Sequence, residues 1–224
     1  MEKKEISGNL DRDAAALRAL LPAQDILTFA FTDKTGRRFL CVFADALTDK
    51  DLLAEQALRP LRGYAGAPEA KTVAQNVLSP EVRTDKQTKT LAEEVLAGNP
   101  VLLWEGADEG LIVGTKKVTV RAVTEPPTDV AIKGPREGFI EDVKTNTSLV
   151  RRRFKTGELQ IEMVTVGRRS ATSVAVCWLE GTCRKDVVDE VKRKLEAIDI
   201  DAVPDSSYLT RFLSERPYSL VKQV

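Results

Sequence analysis

The sequence contains no histidine among its 224 residues. Histidine is the commonest general base, the partner in Ser-His and Cys-His nucleophile pairs and the commonest metal ligand, so all three kinds of site are disfavoured. The cysteines Cys41, Cys177 and Cys183 are odd in number and form no Cys-x-x-Cys pair. A disulfide framework is therefore not expected, and a reducing compartment is favoured. Cys177 lies in the β-rich run SVAVCWL and is predicted to be a small buried apolar residue.

An excess of either charge is also absent, since Lys+Arg and Asp+Glu each total 34 and the net charge is zero. Nucleic-acid-binding domains gain much of their affinity by neutralising phosphates and usually carry a basic excess, so nucleic acid is not predicted as a partner. No stretch approaches the roughly 20 apolar residues that span a bilayer. Met1 is followed by EKKEISGN rather than by an apolar signal segment. On these grounds the chain is expected to be soluble and intracellular.

Motifs for nucleotide binding, catalysis or metal binding are lacking as well. The stretch GPREG (134–138) has neither P-loop nor dinucleotide-site spacing, and Pro135 offers no N–H to a phosphate. Carboxylate pairs without any sign of an acid–base role occur at Glu93/Glu94, Asp108/Glu109, Glu141/Asp142 and Asp199/Asp201. No ligand spacing typical of a metal is visible. We therefore predict that the chain is not an enzyme and has no catalytic residues, cofactor or metal.

What is present is a clear alternation of helical and strand-like periodicity. In the first half, helical spacing covers 11–21, 49–62, 69–78 and 86–97, and β-rich runs cover 25–33, 37–45, 100–106, 110–116 and 117–123. The first two β-runs are joined by Lys34-Thr35-Gly36, which predicts a hairpin. Gly98 is predicted to end the last of these helices.

The segment TEPPTD (124–129) has two prolines and little apolar content, and it is the best candidate for a domain joint. The chain after it reads α-β-β-α-β-α: a helix within 132–154, β-runs at 158–167 and 171–180, a helix at 184–198, a short strand at 198–204, and a helix capped by Asp205 or Ser206 that runs to Leu213. We predict an α/β (α+β) fold of two small subdomains, each a mixed sheet with covering helices. Their predicted bounds are 1–124 and 133–224, with a linker at 125–132.

The most informative segment is IKGPREGFIEDVKTNTSLVRRRF (132–154). On a helical wheel, an arc of about 100°, the width of a core-facing stripe, contains Phe139, Ile140, Val143, Thr147, Val150 and Phe154. Arg151, Arg152 and Arg153 point in directions roughly 100° apart and cannot converge on one phosphate. Two interpretations remain open for them. They either complement the negative end of the helix dipole, with the acids before them at its positive end, or they pair with a partner chain.

These residues carry a resemblance to the A-subunit (GerA) family of spore germinant receptors of endospore-forming bacteria. The matching pieces are GNPVLLWEG (98–106), the block 118–154 with its Glu-Pro, GPREGF, Glu-Asp, Thr-Asn and basic triplet, and the stretches 159–181 and 195–213. The resemblance covers the chain from about residue 70 onwards.

The resemblance implies the N-terminal region of an A subunit in the spore inner membrane, facing the cytoplasm, with membrane spans following it. It implies the B and C subunits of the receptor as partners, with self-association through the A subunit as a further expectation, and a part in nutrient-triggered ion release. We therefore expect a regulatory and assembly domain, with interaction residues at Arg136, Glu137, Asn146, Arg151, Arg152 and Arg153. The alternative is a module that binds a small solute, the germinant, between the two subdomains.

Overall fold

The structure, a computed structural model, describes residues 5–117 and 138–214. Backbone contacts divide the chain into two compact units, residues 1–157 and 158–224. Each unit combines helices with a sheet, which confirms the predicted α+β class, although the strand pairs described are antiparallel rather than mixed. The predicted joint at 125–132 lies outside the described residues, as does most of the β-run 117–123. The predicted domain bounds stay a prediction, and the contacts divide the chain at Gly157.

The first unit is built on a five-stranded sheet with the order β1-β2-β4-β5-β3. Its strands are β1 (Ile26–Thr32), β2 (Arg38–Ala44), β3 (Val82–Asp85), β4 (Val101–Trp104) and β5 (Gly110–Val113). Its helices are α1 (Leu10–Leu20), α2 (Lys50–Leu53), α3 (Arg59–Arg62), α4 (Ala70–Ala74), α5 (Thr88–Ala97) and α6 (Val143–Arg153). Strand β3 was not predicted, because VRTD carries two charges and has little of the apolar alternation that marks a strand.

Helices cover both faces of this sheet and create two apolar cores. On one face α1 and α5 pack against β2 and β4, burying Leu17, Leu91 and Val95 completely. On the other face the segment from α2 to α4 buries Leu53, Leu61 and Val73. Strands β4 and β5 are buried along their whole length because they lie between the two helical layers.

A row of aromatic rings crosses the sheet, from the exposed Phe29 on β1 into the core that contains Leu53, Leu61 and Val73. The rings of Phe29, Phe31, Phe39 and Trp104 lie at successive centroid distances of 6.1, 5.1 and 5.6 Å. Trp104 is fully buried, and its indole N–H donates to the Pro68 carbonyl at 2.7 Å. The polar atom of the ring is thereby satisfied where water is excluded.

The helix predicted for 49–62 is interrupted by a short π-helical segment, Ala54–Leu58, between α2 and α3. Pro60 explains the interruption, because a proline has no N–H to donate to the carbonyl four residues earlier, in this helix that of Gln56. The Gln56 carbonyl instead accepts the N–H of Leu78 at 2.8 Å. The backbone group that proline releases is therefore used to hold the segment after α4.

Two predicted turns have the expected geometry. Strands β1 and β2 form the predicted hairpin, with Ile26 opposite Ala44 and Thr32 opposite Arg38. Gly98 ends α5 with a φ of 97°, and a Cβ at this position would lie 3.0 Å from the Leu47 Cβ. Both the left-handed backbone and the close approach require glycine there.

The second unit consists of a hairpin and two helices. Strands β6 (Leu159–Val166) and β7 (Thr172–Leu179) pair antiparallel, and helices α7 (Lys185–Glu196) and α8 (Ser206–Leu213) follow, with Asp205 as the cap of α8. The core of this unit centres on Val166, Leu195 and Val203. The segment 198–204 is not the predicted strand, but its Ile200 and Asp201 carbonyls accept backbone N–H groups from the 167–170 turn.

Cys177 is exposed, contrary to the prediction, because β7 belongs to a two-stranded sheet whose faces are only partly covered. Cys41 is fully buried, and burial raises the pKa of its thiol far above the ordinary value. Within residues 5–117 and 138–214, no helix is both long enough and apolar enough to cross a membrane.

Candidate functional site

The candidate site comprises helix α6 and the polar pocket beside it, because α6 contains most of the predicted interaction residues. The helix begins at Val143, whereas the helical wheel in the sequence analysis started at Phe139. Asp142 is its N-cap. The Asp142 carboxylate accepts from the Thr145 N–H at 2.9 Å and also from the Thr145 hydroxyl. These two hydrogen bonds, with the hydroxyl the larger cause, lower the pKa of Asp142 below its ordinary value.

The inner face of α6 is polar, which corrects the predicted apolar stripe. Phe139 and Ile140 precede the helix and are exposed, as is Phe154 after it. The buried residues of the helix are Thr147, Ser148, Leu149 and Arg151. Of the predicted stripe only Thr147 is buried, so the helix is rotated relative to the prediction. Its inner face combines two hydroxyls, Leu149 and the ion pair of Arg151.

That ion pair joins Arg151 to Asp25 at the start of β1. The Arg151 guanidinium donates through Nε to one Asp25 oxygen at 3.0 Å and through a terminal nitrogen to the other at 2.6 Å. Its remaining terminal nitrogen donates to the Thr156 carbonyl at 3.0 Å. The Arg151 residue is 1% exposed, and the planar fork of arginine suits this two-point contact with a carboxylate.

A second ionic contact lies on the same side of α6. Lys144 precedes Arg151 by two helical turns, so both face the same way. The Lys144 ammonium lies 3.5 Å from an Asp45 oxygen, and the same carboxylate contacts Lys50. Burial acts to raise the pKa of Asp45, but the Lys50 and Lys144 ammoniums outweigh it and lower that pKa overall. The ends of β1 and β2 are thus both tied to α6.

A pocket of about 340 Å³ lies between α6 and the segment that leads into α2. Its lining combines ammonium, carboxylate and hydroxyl groups: Asp45, Ala46, Thr48, Asp49, Lys50, Asp51, Lys117, Lys144, Thr145 and Ser148. Three lysines and three aspartates give the lining no net charge, so the pocket suits a small polar solute rather than a strongly charged one. Among the described residues, no cluster of three or more acidic or cysteine side chains is placed to hold a metal ion.

The other predicted interaction residues have different environments. Asn146 donates to the Ile140 carbonyl at 2.6 Å and accepts the Ile140 N–H at 2.8 Å, so its side chain braces the segment before α6. Arg152 is partly buried and donates to the Lys117 carbonyl at 3.3 Å, while Arg153 is exposed. Arg136 and Glu137 lie outside the described residues.

Asp25 and Asp45, which hold α6, were not singled out from the sequence. Each stands at the end of a β-run, where an acid is ordinary, and Asp25 is 126 residues away from Arg151 along the chain. Only the folded hairpin brings their carboxylates to the same end of the sheet, where the Asp45 N–H donates to the Asp25 carbonyl at 2.9 Å.

The fold itself has a solved counterpart. The N-terminal domain of the A subunit of the Bacillus megaterium spore germinant receptor GerK3 superimposes with a TM-score of 0.70, covering 98% of this chain and 83% of that one. The two sequences are 17% identical, so the likeness establishes the class of fold.

The sequence establishes the family. Residues 17–224 match the family described as Bacillus/Clostridium GerA spore germination protein, and the chain therefore belongs to the GerA family. Its relatives in Bacillus subtilis include spore germination protein B1, 31% identical over 96% of this chain, and spore germination protein A1, 27% identical over 100% of this chain. The uncharacterized membrane protein YfkQ of the same organism is 31% identical over 99% of this chain. The chain spans less than half the length of these relatives, 45–46% in each case.

Proposed function

We propose that this chain is the N-terminal domain of a germinant-receptor A subunit and that it regulates and assembles the receptor rather than performing chemistry. The match to the GerA family over residues 17–224 carries this proposal. The fold shared with the GerK3 N-terminal domain supports it. In this proposal the partners are the B and C subunits and further A subunits, the receptor lies in the spore inner membrane with this domain facing the cytoplasm, and its output is ion release.

Helix α6 supports a role in contacts between subunits. Its inner face is fixed by Arg151 and Lys144, so the exposed end of the helix is presented in a defined orientation. Arg153 is exposed and Arg152 partly so, and arginine is favoured at protein interfaces because its guanidinium can bind carboxylates at two points. We assign the partner contact to Arg152 and Arg153, with Arg151 positioning them.

The test is a double charge reversal, Arg152→Glu with Arg153→Glu, in the full-length receptor of an endospore-forming strain. We expect loss of co-purification of the B and C subunits and loss of nutrient-triggered germination, because the acids would repel the carboxylates that arginine binds. The matched control reverses Arg59 and Lys89, which are exposed helical cations with side chains 76% and 78% accessible. Normal assembly and germination of the Arg152/Arg153 variant would refute the proposed contact.

The polar pocket favours a second candidate function, the binding of a small solute such as an amino acid or a sugar. Its mixed lining offers partners for both ends of a zwitterion, and it lies within the first unit rather than between two subdomains. The test is a thermal-shift and calorimetric titration with L-alanine, D-glucose and inosine. Occupancy at 100 times Kd would stabilise the chain by about 2.7 kcal/mol.

Matched variants make this titration specific to the pocket. Lys144→Met should abolish the shift because it removes a lining ammonium, while Lys89→Met on α5, which does not line the pocket, should leave it unchanged. The absence of saturable binding by all three compounds would remove this second candidate.

A further inference from the structure

Among the described residues, strand β1 is an edge strand with no neighbour on its outer side; Arg18 of α1 reaches it, donating to the Thr28 hydroxyl at 3.0 Å. In the order β1-β2-β4-β5-β3 it is the outermost strand, and Ile26–Thr32 contains no charged residue, proline or glycine. Residues 27–30 are all exposed, with Leu27 at 38% and Phe29 at 39%. Edge strands of monomeric proteins are usually shielded by charges, proline, bulges or covering segments, and a neutral apolar edge of this length favours pairing with another strand.

The hydrogen bonds between β1 and β2 show which backbone groups of β1 face the open edge. The Asp33 N–H donates to Arg37 at one end of the hairpin, and the Asp25 carbonyl accepts from Asp45 at the other. Odd-numbered residues of β1 therefore bond to β2, since residues alternate along an antiparallel pair. The N–H and C=O groups of Thr28 and Ala30 consequently point away from the sheet, towards an incoming strand.

Apolar surface continues from this edge onto both faces of the sheet. On one face the ring of Phe29 stacks against Phe31 at 6.1 Å, with the Arg62 guanidinium 5.6 Å from the Phe29 centroid. On the other face an open groove of about 640 Å³ runs between α1 and the β1–β2 hairpin. Apolar residues such as Ala14, Ala15 and Ala30 line it together with the charged residues Asp11, Arg18 and Arg38. A strand added at the edge would find side-chain contacts above and below it.

We infer that the open edge of β1 pairs antiparallel with β1 of a second copy of this chain. This inference rests on the self-association included in the proposed function and names its surface. The run ILTFAFT is self-complementary about Phe29: Thr28 lies opposite Ala30 of the second copy, Leu27 opposite Phe31, and Phe29 opposite itself. No ionisable side chain of one strand faces one of the other, so the two strands themselves place no like charges opposite each other.

The same register predicts how the affinity of the dimer depends on salt concentration. Each copy brings an Arg62 close to Phe29 and an Arg18 to Thr28, so guanidinium groups of both copies flank the two-fold axis. Their repulsion is screened by added salt, and the dimer should tighten between 50 and about 300 mM NaCl, where the Debye length falls below about 10 Å.

Sedimentation velocity of the chain provides the first test. We expect a concentration-dependent dimer, and Ala30→Lys should be monomeric with an unchanged far-UV circular dichroism spectrum, because it places an ammonium beside the open edge. The control Leu78→Lys replaces an apolar residue that is 70% exposed elsewhere on the chain, and it should dimerise as the parent does. A parent chain that stays monomeric up to 100 µM overturns the inference.

Disulfide trapping tests the register and does not depend on the Lys variant folding. In a background with Cys177→Ser and Cys183→Ser, Phe29→Cys should form a dimer-linking disulfide, because a non-hydrogen-bonded antiparallel pair brings its Cα atoms to about 4.5 Å, within disulfide range. Thr28→Cys, which faces Ala30 of the second copy, should crosslink at least tenfold more slowly. Equal rates for the two variants would contradict the register.

The experiments distinguish a failure of the β1 pairing from a failure of the proposed function. A monomeric chain whose Arg152/Arg153 reversal still blocks receptor assembly would refute the β1 pairing and leave the proposed function intact. A crosslinked dimer whose Arg152/Arg153 reversal assembles normally would support the pairing and refute the partner contact assigned to α6.

Discussion

Three adjacent arginines of α6 have three different environments. Arg151 is buried in a two-point contact with Asp25, Arg152 reaches the Lys117 carbonyl, and Arg153 is exposed. The sequence predicted correctly that consecutive arginines diverge on a helix. It did not predict which of them is internal, because the choice depends on a carboxylate supplied by the β1–β2 hairpin.

Replacing Arg151 should therefore destabilise the chain strongly. Arg151→Ala leaves the Asp25 carboxylate without its guanidinium partner in a site where that side chain is 14% accessible, and removal of one member of a buried ion pair costs about 3–5 kcal/mol. Urea unfolding should show this loss, while Arg59→Ala, which removes an exposed ion pair with Glu55, should cost less than about 1 kcal/mol. A loss of less than about 1 kcal/mol for Arg151→Ala as well would mean that the buried pair contributes little.

At the scale of single elements, most helices and strands were predictable and their exceptions have identifiable causes. Periodic apolar residues located α1, α5, α7 and the two hairpins, because each of these buries a regular face. The start of α6 was placed too early, since Asp142 caps the helix and Asn146 binds Ile140 in front of it. Side-chain hydrogen bonds to the backbone can end a helix where its apolar pattern would continue it. A helical wheel does not represent such hydrogen bonds.

The cap of α6 should have a measurable pH dependence. Asp142→Ala should cost about 1 kcal/mol at pH 7 through the lost N-cap. The folded pKa of Asp142 lies below its ordinary value of 3.8, so the stabilisation by the carboxylate is complete above pH 3.8 and is lost as the pH falls through the lower folded pKa.

Asp142→Asn separates the charge from the hydrogen bonds. Asparagine also caps helices, so this variant should be only slightly less stable than the parent at pH 5, and the difference should vanish or reverse near pH 3. The comparison requires denaturant unfolding of both proteins at the two pH values. A difference that does not change with pH would show that the Asp142 charge has no role.

At the scale of the whole molecule, backbone contacts divide the chain into two units, and the predicted bounds of the subdomains stay a prediction. Proline-rich composition placed a joint at 125–132, whereas the contacts group α6 with the first unit because Arg151 binds Asp25. Composition reports where a chain lacks apolar residues. It does not report a long-range ion pair, which joins residues far apart in sequence.

The two units should differ in local stability. In the described residues, the cores of the first unit contain sixteen and eleven buried residues, against three in the core of the second. Amides of β4 and β5 should therefore show the strongest protection in hydrogen exchange, and those of β6 and β7 should exchange at lower opening free energy. Uniform protection across both units would indicate that they unfold as one.

The row of stacked rings in the first unit has a spectroscopic consequence. The chain contains two tryptophans, Trp104 in that row and Trp178 on β7, where the Lys192 ammonium lies 5.5 Å from the ring. Since each unit holds one indole, replacing either with phenylalanine leaves a single tryptophan. The emission of Trp104 would report the interior of one unit, and that of Trp178 would report the other. Any molecule that binds the chain could therefore be assigned to the unit it perturbs without attaching a dye.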